Sequence, residues 1–200
     1  RNAQWRINAQ KPTSGGWGYG SKLPSTDPSN SQFALLALHE AERQGIGVPP
    51  QTWQAANAYW SSRQIGTGGW SYDSSFGPTP SVSMTCAGIA SLVITQGKQV
   101  NIEQRIVDGK VQCCGSNIVD DQIEKGLNWL ARRIRVGSNA FSKDTAYFYY
   151  MYCIERVGRL TGKRYIGTTD WYRLGCEYIV NLQDNLRGSW TGSLAHGEHQ

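Results

Sequence analysis

The stretch QIGTGGWSYD, residues 64–73, decides the fold of this chain because it is repeated. A near-copy, QKPTSGGWGYG, occupies residues 10–20, and a looser copy, QDNLRGSWTG, occupies residues 183–192. Each copy contains a glutamine, a short turn, a glycine and a tryptophan. Recurrence of one motif at a roughly regular spacing is typical of a protein built from structural repeats. The repeat therefore has to be explained before any single residue is assigned a role.

The composition is that of one globular domain spanning residues 1–200. Hydrophobic residues make up 39% of the chain, and the net charge is +5. The basic residues are scattered, and their single cluster, ARRIR at 131–135, is typical of a solvated helix face, so we expect no nucleic-acid partner. No apolar stretch reaches the roughly 18 residues that a membrane span needs. Nothing in the sequence indicates a cellular compartment.

The periodicity of apolar residues predicts two kinds of helix that alternate along the chain. Segments that are apolar on nearly every side predict helices buried on every side, and segments with one apolar stripe predict helices with one exposed face. The alternation predicts an all-α fold of about three to four helical hairpins in two concentric layers, with the buried helices inside. An ordinary α-solenoid of more similar helices is the alternative. The wholly apolar segments are 31–41, 81–95 and 144–158, and the one-sided segments are 50–64, 122–134 and 170–183.

The repeated motif resembles the QW repeat of squalene and oxidosqualene cyclases and of prenyltransferase-type repeat proteins. The second half of the chain is most similar to uncharacterised bacterial repeat proteins of the same superfamily, which are often joined to other domains. The resemblance implies an α/α toroid, of which this chain would be a partial ring and a fragment of a longer protein. The motif is present as Trp60, Gln64, Gly68 and Trp70, as Ile179, Gln183, Gly188 and Trp190, and in a partial copy as Gln10, Gly15 and Trp17, with Arg6 at the preceding position.

The glutamine and the tryptophan of each copy have a structural explanation. A helix ends with unpaired carbonyls, and the next helix begins with unpaired amides. A glutamine amide offers two donors and an acceptor, so it can bond across such a junction while the indole excludes water and glycine permits the tight turn. We therefore predict a clasp between hairpins rather than a catalytic loop. The predicted clasp residues are Gln10, Trp17, Gln64, Trp70, Gln183 and Trp190.

The motifs of the enzymes in this superfamily are missing from the sequence. Class II cyclases protonate their substrate with a D-x-D-D acid, and the nearest match is Asp144, which the adjacent Lys143 should hold ionised. The D-x-C zinc motif and the D-D-x-x-D magnesium motif do not occur either. His196 and His199 have metal-ligand spacing but no evident third ligand. We therefore expect no catalytic residue, no metal and no cofactor in this chain.

The residues that could bind a ligand lie near the predicted starts of the buried helices. The N-terminal ends of these helices carry partial positive charge, and tyrosines on the third buried helix could line a central cavity. Such a surface suits an apolar or ring-shaped molecule with a few polar edges, which the resemblance makes isoprenoid-like. The candidate ligand-binding residues are Tyr19, Asp27, Tyr72, Asp73, Asp144, Tyr147 and Tyr150.

Three functions are compatible with the sequence. The first is a non-catalytic repeat module that binds a ligand or a protein partner within a larger bacterial protein. The second is part of a terpenoid cyclase or prenyltransferase whose catalytic motif lies outside this chain. The third is a carbohydrate-active toroid, which would need paired carboxylates. Repeats at the end of an array expose apolar faces, so we also expect contact with missing repeats or self-association.

Overall fold

In the computed structural model, the chain is described over residues 1–20, 25–72, 78–99, 105–107, 110–112, 121–136 and 147–190, and these residues are mostly helical. The prediction of an all-α protein is confirmed at this level. In the described ranges, none of the helices has the length and apolar character needed to cross a membrane. The helices are α1 (Asn2–Ala9), α2 (Pro28–Arg43), α3 (Pro50–Ser62), α4 (Val82–Gln99), α5 (Asp121–Ala131), α6 (Tyr147–Thr161) and α7 (Trp171–Leu182).

Two small β-hairpins and the helix α1 are present in addition to the six helices that the sequence predicted. The strands β1 (Arg105–Val107) and β2 (Lys110–Gln112) pair antiparallel, as do β3 (Tyr165–Ile166) and β4 (Thr169–Asp170). Gly167, with φ of 61°, allows the tight turn between β3 and β4. Strands of two or three residues are too short to show the alternation of apolar and polar residues that predicts a strand.

Helix α4 is the centre of the described structure. It contacts α2, α3, α5 and α6, and Ile89 and Leu92 at its middle are completely buried. This agrees with an apolar sequence on every side. Helices α2 and α6 pack on α4 but keep an exposed side, on which Phe33 and Phe148 lie, so the prediction of burial on every side is wrong for these two helices.

Helices α2 and α6 also touch each other through aromatic and polar side chains. The ring of Phe33 stacks on Tyr152 with centroids 5.7 Å apart and tilts against Tyr149 at 6.0 Å. The hydroxyl of Tyr149 donates to Oε1 of the fully buried Gln32 at 3.0 Å. Tyr149 and Tyr152 of α6 are therefore packed against α2.

The second glutamine–tryptophan copy connects two helices, α3 and α5. Nε2 of Gln64 donates to the carbonyl of Gly68 at 2.9 Å and to the carbonyl of Gln122, in the first turn of α5, at 2.8 Å. The indole nitrogen of Trp70 donates to the carbonyl of Trp60 at 2.8 Å, near the end of α3. One amide and one indole thus join the end of α3 to the start of α5.

The first copy makes the same set of bonds. Nε2 of Gln10 donates to the carbonyl of Gly15 at 2.8 Å and to that of Thr52, in the first turn of α3, at 3.0 Å. The indole of Trp17 donates to the carbonyl of Arg6 at 2.8 Å. The apolar residue that Arg6 replaces is not needed for this bond, because the acceptor is the backbone.

The third copy repeats the turn but is not covered. Gln183 donates to the carbonyl of Gly188 at 2.8 Å, and Trp190 donates to the carbonyl of Ile179 at 2.7 Å. Within the described residues, Gln183 has no helix start beside it to take its second N–H. Trp190 is 43% exposed, whereas the tryptophans of the first two copies are 4% and 1% exposed.

The difference between the copies predicts different effects of removing each glutamine. We expect Gln64→Ala to lower the free energy of unfolding by about 2–3 kcal/mol, because it removes two part-buried hydrogen bonds, one of which joins two hairpins. Gln183→Ala should cost about 1 kcal/mol or less, because water can replace its donor. Urea unfolding followed by circular dichroism measures both values. Equal losses for the two variants would contradict a role for Gln64 between hairpins.

A second prediction concerns the glycine under the Trp70 indole. A Cβ at Gly88 would lie 2.4 Å from the indole ring, whereas a Cβ at Gly97 in the same helix has nothing within 4 Å. Gly88→Ala should therefore destabilise by about 1–3 kcal/mol through overpacking. Gly97→Ala should stabilise by up to about 1 kcal/mol, because alanine is the better helix former. Thermal unfolding of the pair tests this, and a stabilising Gly88→Ala would refute it.

Candidate functional site

The N-terminal ends of α2, α4 and α6 meet at one pocket with a volume of about 360 Å³, which we call the helix-start pocket. Its size lies within the range of small-molecule sites. The walls combine hydroxyl groups with aromatic and aliphatic surface. The lining residues are Ser29 and Phe33 of α2, Tyr72, Ser81 immediately before α4, Ser83 and Met84 of α4, and Tyr149 of α6.

The tryptophan of each covered clasp fixes where the following buried helix begins. The amide of Asp27 donates to the carbonyl of Trp17 at 2.8 Å, and Asp27 is the N-cap of α2. In the same way, the amide of Ser81 donates to the carbonyl of Trp70 at 3.0 Å. The Ser81 hydroxyl accepts from the amide of Met84, as a helix N-cap does. The two helix starts therefore lie at the same level and can form one pocket.

Asp27 is held as a carboxylate behind the pocket wall. Its Oδ1 accepts from the Ser29 hydroxyl at 2.6 Å and from the Asn30 amide at 2.8 Å, while the Tyr72 hydroxyl donates to Oδ2. Burial raises the pKa of Asp27, but the hydrogen bonds from Ser29, Tyr72 and Asn30 together outweigh this effect and keep the pKa below its usual value. Asp27 is therefore ionised at neutral pH and accepts protons in hydrogen bonds without donating one.

The phenols of the pocket are held in the protonated form. The hydrogen bond to Asp27, followed by burial, raises the pKa of Tyr72 far above its usual value. Burial likewise raises the pKa of Tyr149, whose hydroxyl bonds to Gln32. The pocket thus presents neutral hydroxyls and the apolar surface of Phe33 and Met84, with the Asp27 carboxylate behind the wall and bonded to Tyr72. This combination can orient a ligand, but it offers no strong acid.

The structure brings some of the predicted ligand-binding residues together. Asp27 and Tyr72 are directly bonded, and the largely exposed Tyr19 is a further hydrogen-bonding neighbour of the Tyr72 hydroxyl. These residues are far apart in the sequence. The turn residues Asp27, Tyr72 and Tyr19 thus lie together, and their role as a binding mouth stays a prediction. Asp73 and Asp144 lie outside the described residues.

The other two predicted tyrosines lie at different places. The hydroxyl of Tyr150 donates to the Arg135 carbonyl at 2.9 Å and accepts from the Arg135 amide at 3.1 Å, and the side chain is buried. These two bonds to the loop after α5 hold Tyr150 in the core. Burial and the neighbouring Tyr178, whose ring lies 4.9 Å away on α7, raise the pKa of Tyr147. Neither residue lines the helix-start pocket.

Several pocket residues were not singled out from the sequence. The serines share one signal that could have identified them, since they are small hydroxyl residues at the starts of otherwise apolar helices. Phe33 and Met84 look like ordinary core residues in a helical pattern, and their access to the pocket depends on how α2 and α4 pack. In the described part of the chain, no group of three or more histidine, cysteine or acidic side chains could hold a metal ion.

A larger concavity, of about 700 Å³, lies beside the second clasp. Its walls include Gln64 and Arg63, and the guanidinium of Arg63 lies over the ring of Tyr59 at 4.6 Å. Gln64 is already occupied by two backbone carbonyls. We therefore place the candidate site at the smaller helix-start pocket, where several hydroxyls converge and one of them, that of Tyr72, is bonded to Asp27.

Comparison with known proteins does not identify the chain. No protein-family model, no curated protein and no solved structure matches it. Function therefore has to be argued from the chemistry of the site itself.

The bond between Tyr72 and Asp27 gives a prediction about pH. Tyr72→Phe removes a donor, so the pKa of Asp27 should rise towards its ordinary value of 3.8. A lowered pKa stabilises the fold above the unfolded-state pKa, and this contribution disappears as the pH falls through the folded-state pKa. Tyr72→Phe should therefore lose stability at neutral pH and little below pH ~2.

The measurement is a pH titration of the Asp27 carboxyl carbon by NMR, combined with urea unfolding at neutral and acidic pH. Tyr19→Phe is the matched control, because Tyr19 is largely exposed and contributes the least to the pKa of Tyr72. An unchanged Asp27 pKa in Tyr72→Phe would show that the hydrogen bond does not hold the carboxylate.

Proposed function

We propose that this chain is a non-catalytic helical-repeat module, similar to the QW-repeat modules of the terpenoid cyclase and prenyltransferase superfamily, whose helix-start pocket binds a small molecule. The observation that carries this proposal is the ionised Asp27 bonded to Tyr72 at a pocket lined by Phe33 and Tyr149. A site of this kind recognises a ligand by one polar end and one apolar body.

The packing of the helices supports the repeat architecture of this proposal. The starts of α2, α4 and α6 meet at the same pocket, and α2 and α6 both pack on α4. Each is preceded by a helix with one exposed face, and the first two such pairs are joined by a glutamine–tryptophan turn. Consecutive hairpins of this kind form an α/α toroid when the array curves. We propose that the chain is a partial ring of this type within a larger bacterial protein.

The state of Asp27 supports binding rather than acid catalysis. A cyclase that protonates its substrate needs a carboxylic acid with a proton to give. Asp27 accepts hydrogen bonds from Ser29, Asn30 and Tyr72, and these bonds lower its pKa. The same bonds give the carboxylate a fixed orientation. A fixed charge next to hydroxyl groups is suited to positioning the polar end of a ligand.

The apolar part of the pocket favours an isoprenoid-like ligand with a hydroxyl group. Phe33 is 44% exposed although it is aromatic, so a ligand could cover it and gain hydrophobic free energy. Ser29, Ser81 and Ser83 supply donors and acceptors on the walls. The proposal also includes contact of the exposed edge formed by α6 and α7 with further repeats or with a second copy of the chain.

The isoprenoid alcohol geraniol is a suitable probe of the pocket. We expect saturable binding to the whole chain in isothermal titration calorimetry, and about tenfold weaker binding to Phe33→Ala, because the loss of one ring contact removes more than about 1 kcal/mol. Phe148→Ala is the matched control, since Phe148 is similarly exposed on α6 but does not line the helix-start pocket. Circular dichroism checks that both variants remain folded.

Two results would count against the proposal. One is the absence of saturable binding up to the solubility limit of geraniol. The other is an equal loss of affinity in Phe33→Ala and Phe148→Ala, which would indicate non-specific adsorption to exposed aromatic rings.

A further inference from the structure

A groove of about 280 Å³ lies between α6 and α7, at the opposite side of α6 from the central helix α4. Phe148 and Tyr152 of α6 form one wall, and Tyr172, Cys176 and Ile179 of α7 form the other. The groove is almost entirely apolar. It continues onto the exposed side chains at the end of α7, where Leu182 is 44% exposed.

The repeat shows what this groove corresponds to elsewhere in the chain. Counted back from the glutamine of the clasp, Tyr172 and Ile179 of α7 occupy the positions of Trp53 and Trp60 in α3. Trp53 and Trp60 are 3% and 1% exposed, because hairpins cover them. Tyr172 is 62% exposed. The wall that α3 buries is therefore the wall that α7 leaves open.

The clasps lead to the same correspondence independently. In the covered copies, the glutamine bonds to its own turn and to the first turn of the one-sided helix that follows the next buried helix. Gln183 makes the bond to its own turn at Gly188. By analogy with Gln64 and Gln122, the second N–H of Gln183 is the donor for the first turn of such a helix.

We propose that the α6–α7 groove is the docking site of a helical hairpin of this same repeat type, in which a buried helix precedes a one-sided helix, as α4 precedes α5. The inference rests on the repeat architecture of the proposed function. It states which kind of partner would cover the exposed edge formed by α6 and α7. The interface that the hairpin would form is a continuation of the one that already joins the hairpins of this chain.

The chain also indicates the chemistry that the docking helix must have. The amide of Trp17 donates to the Ser31 hydroxyl at 2.8 Å, and that of Trp70 donates to the Thr85 hydroxyl at 3.1 Å. Three residues after each hydroxyl residue, the helix has a small residue, which is Ala34 in α2 and Gly88 in α4. The indole of Trp70 lies directly on Gly88. A helix that docks on Trp190 therefore needs serine or threonine followed three positions later by glycine or alanine.

A second copy of the chain fits this groove less well than a separate hairpin of a buried helix and a one-sided helix does. In a second copy, α2 is already preceded by α1, and the turn from Gln10 to Trp17 has the same hydrogen bonds as the turn from Gln183 to Trp190. Helix α1 thus occupies the place that α7 would have to take. The α2 of a second copy could enter the groove only after α1 was displaced.

The test uses the whole chain and a fluorescently labelled peptide of residues 25–64, which contains α2 and α3 and carries the required Ser31 and Ala34. We expect saturable binding in fluorescence anisotropy and protection of the exposed Cys176 from alkylation, read by mass spectrometry. Cys176→Trp fills the groove and should weaken binding by about tenfold or more. Glu177→Trp is its control, because it adds the same side chain at a neighbouring exposed residue outside the groove.

A change in the peptide separates specific docking from apolar adhesion. Ala34→Leu places a large side chain against the indole of Trp190, so it should weaken binding by about tenfold. Glu40→Leu adds an equal apolar side chain at an exposed position of α2 and should leave binding within about twofold. If the Ala34→Leu peptide binds as well as the original or better, the proposed contact with the indole is wrong.

Three other results would overturn the inference. The first is that the unsubstituted peptide shows no saturable binding, and the second is that Cys176→Trp and Glu177→Trp weaken binding equally. The third is that Cys176 becomes protected without peptide as the chain self-associates at higher concentration, which would assign the groove to a second copy. Loss of peptide binding with geraniol binding intact would refute this inference alone. The reverse result would refute ligand binding at the helix-start pocket alone.

Discussion

The structure depends on one side-chain amide that reaches two backbone carbonyls belonging to different hairpins. Gln64 closes its own turn at Gly68 and at the same time bonds to the start of α5 at Gln122. The Gly68 carbonyl lies in a turn, and the Gln122 carbonyl, in the first turn of α5, takes the Gln64 N–H as a second bond besides its place in the helix. The Trp70 indole beside it is packed on Gly88 and is 1% exposed. A single residue thereby fixes the position of one hairpin relative to the next.

This constraint also places the candidate site. Because the carbonyls of Trp17 and Trp70 bond to the amides of Asp27 and Ser81, the clasps set the level at which α2 and α4 begin. The pocket is the space that these aligned helix starts enclose. Asp27 serves both purposes, since one carboxylate oxygen caps α2 and the other accepts from Tyr72. The cap of α2 and the candidate site are consequently connected through one carboxylate.

The parts of the fold that follow from local patterns could be predicted from the sequence. The apolar periodicity located α2 to α7, and the positions of Asp27 and Tyr72 near helix starts indicated a common mouth. Helix α1 was missed because Arg6 interrupts its apolar stripe, and β3 and β4 are too short to have a pattern. The contact of Phe33 with Tyr149 could not be predicted, because it depends on how far α2 and α6 curve towards each other around α4.

The three copies of the motif separate what the motif does by itself from what its surroundings add. All three glutamines bond to the glycine of their own turn, and all three indoles bond to the preceding helix, with nearly equal distances. Exposure nevertheless differs from 1% at Trp70 to 43% at Trp190. The local sequence therefore determines the shape of the turn, whereas burial by a neighbouring hairpin determines how much the turn stabilises. For this reason the same motif can hold a core together at one position and present a surface at another.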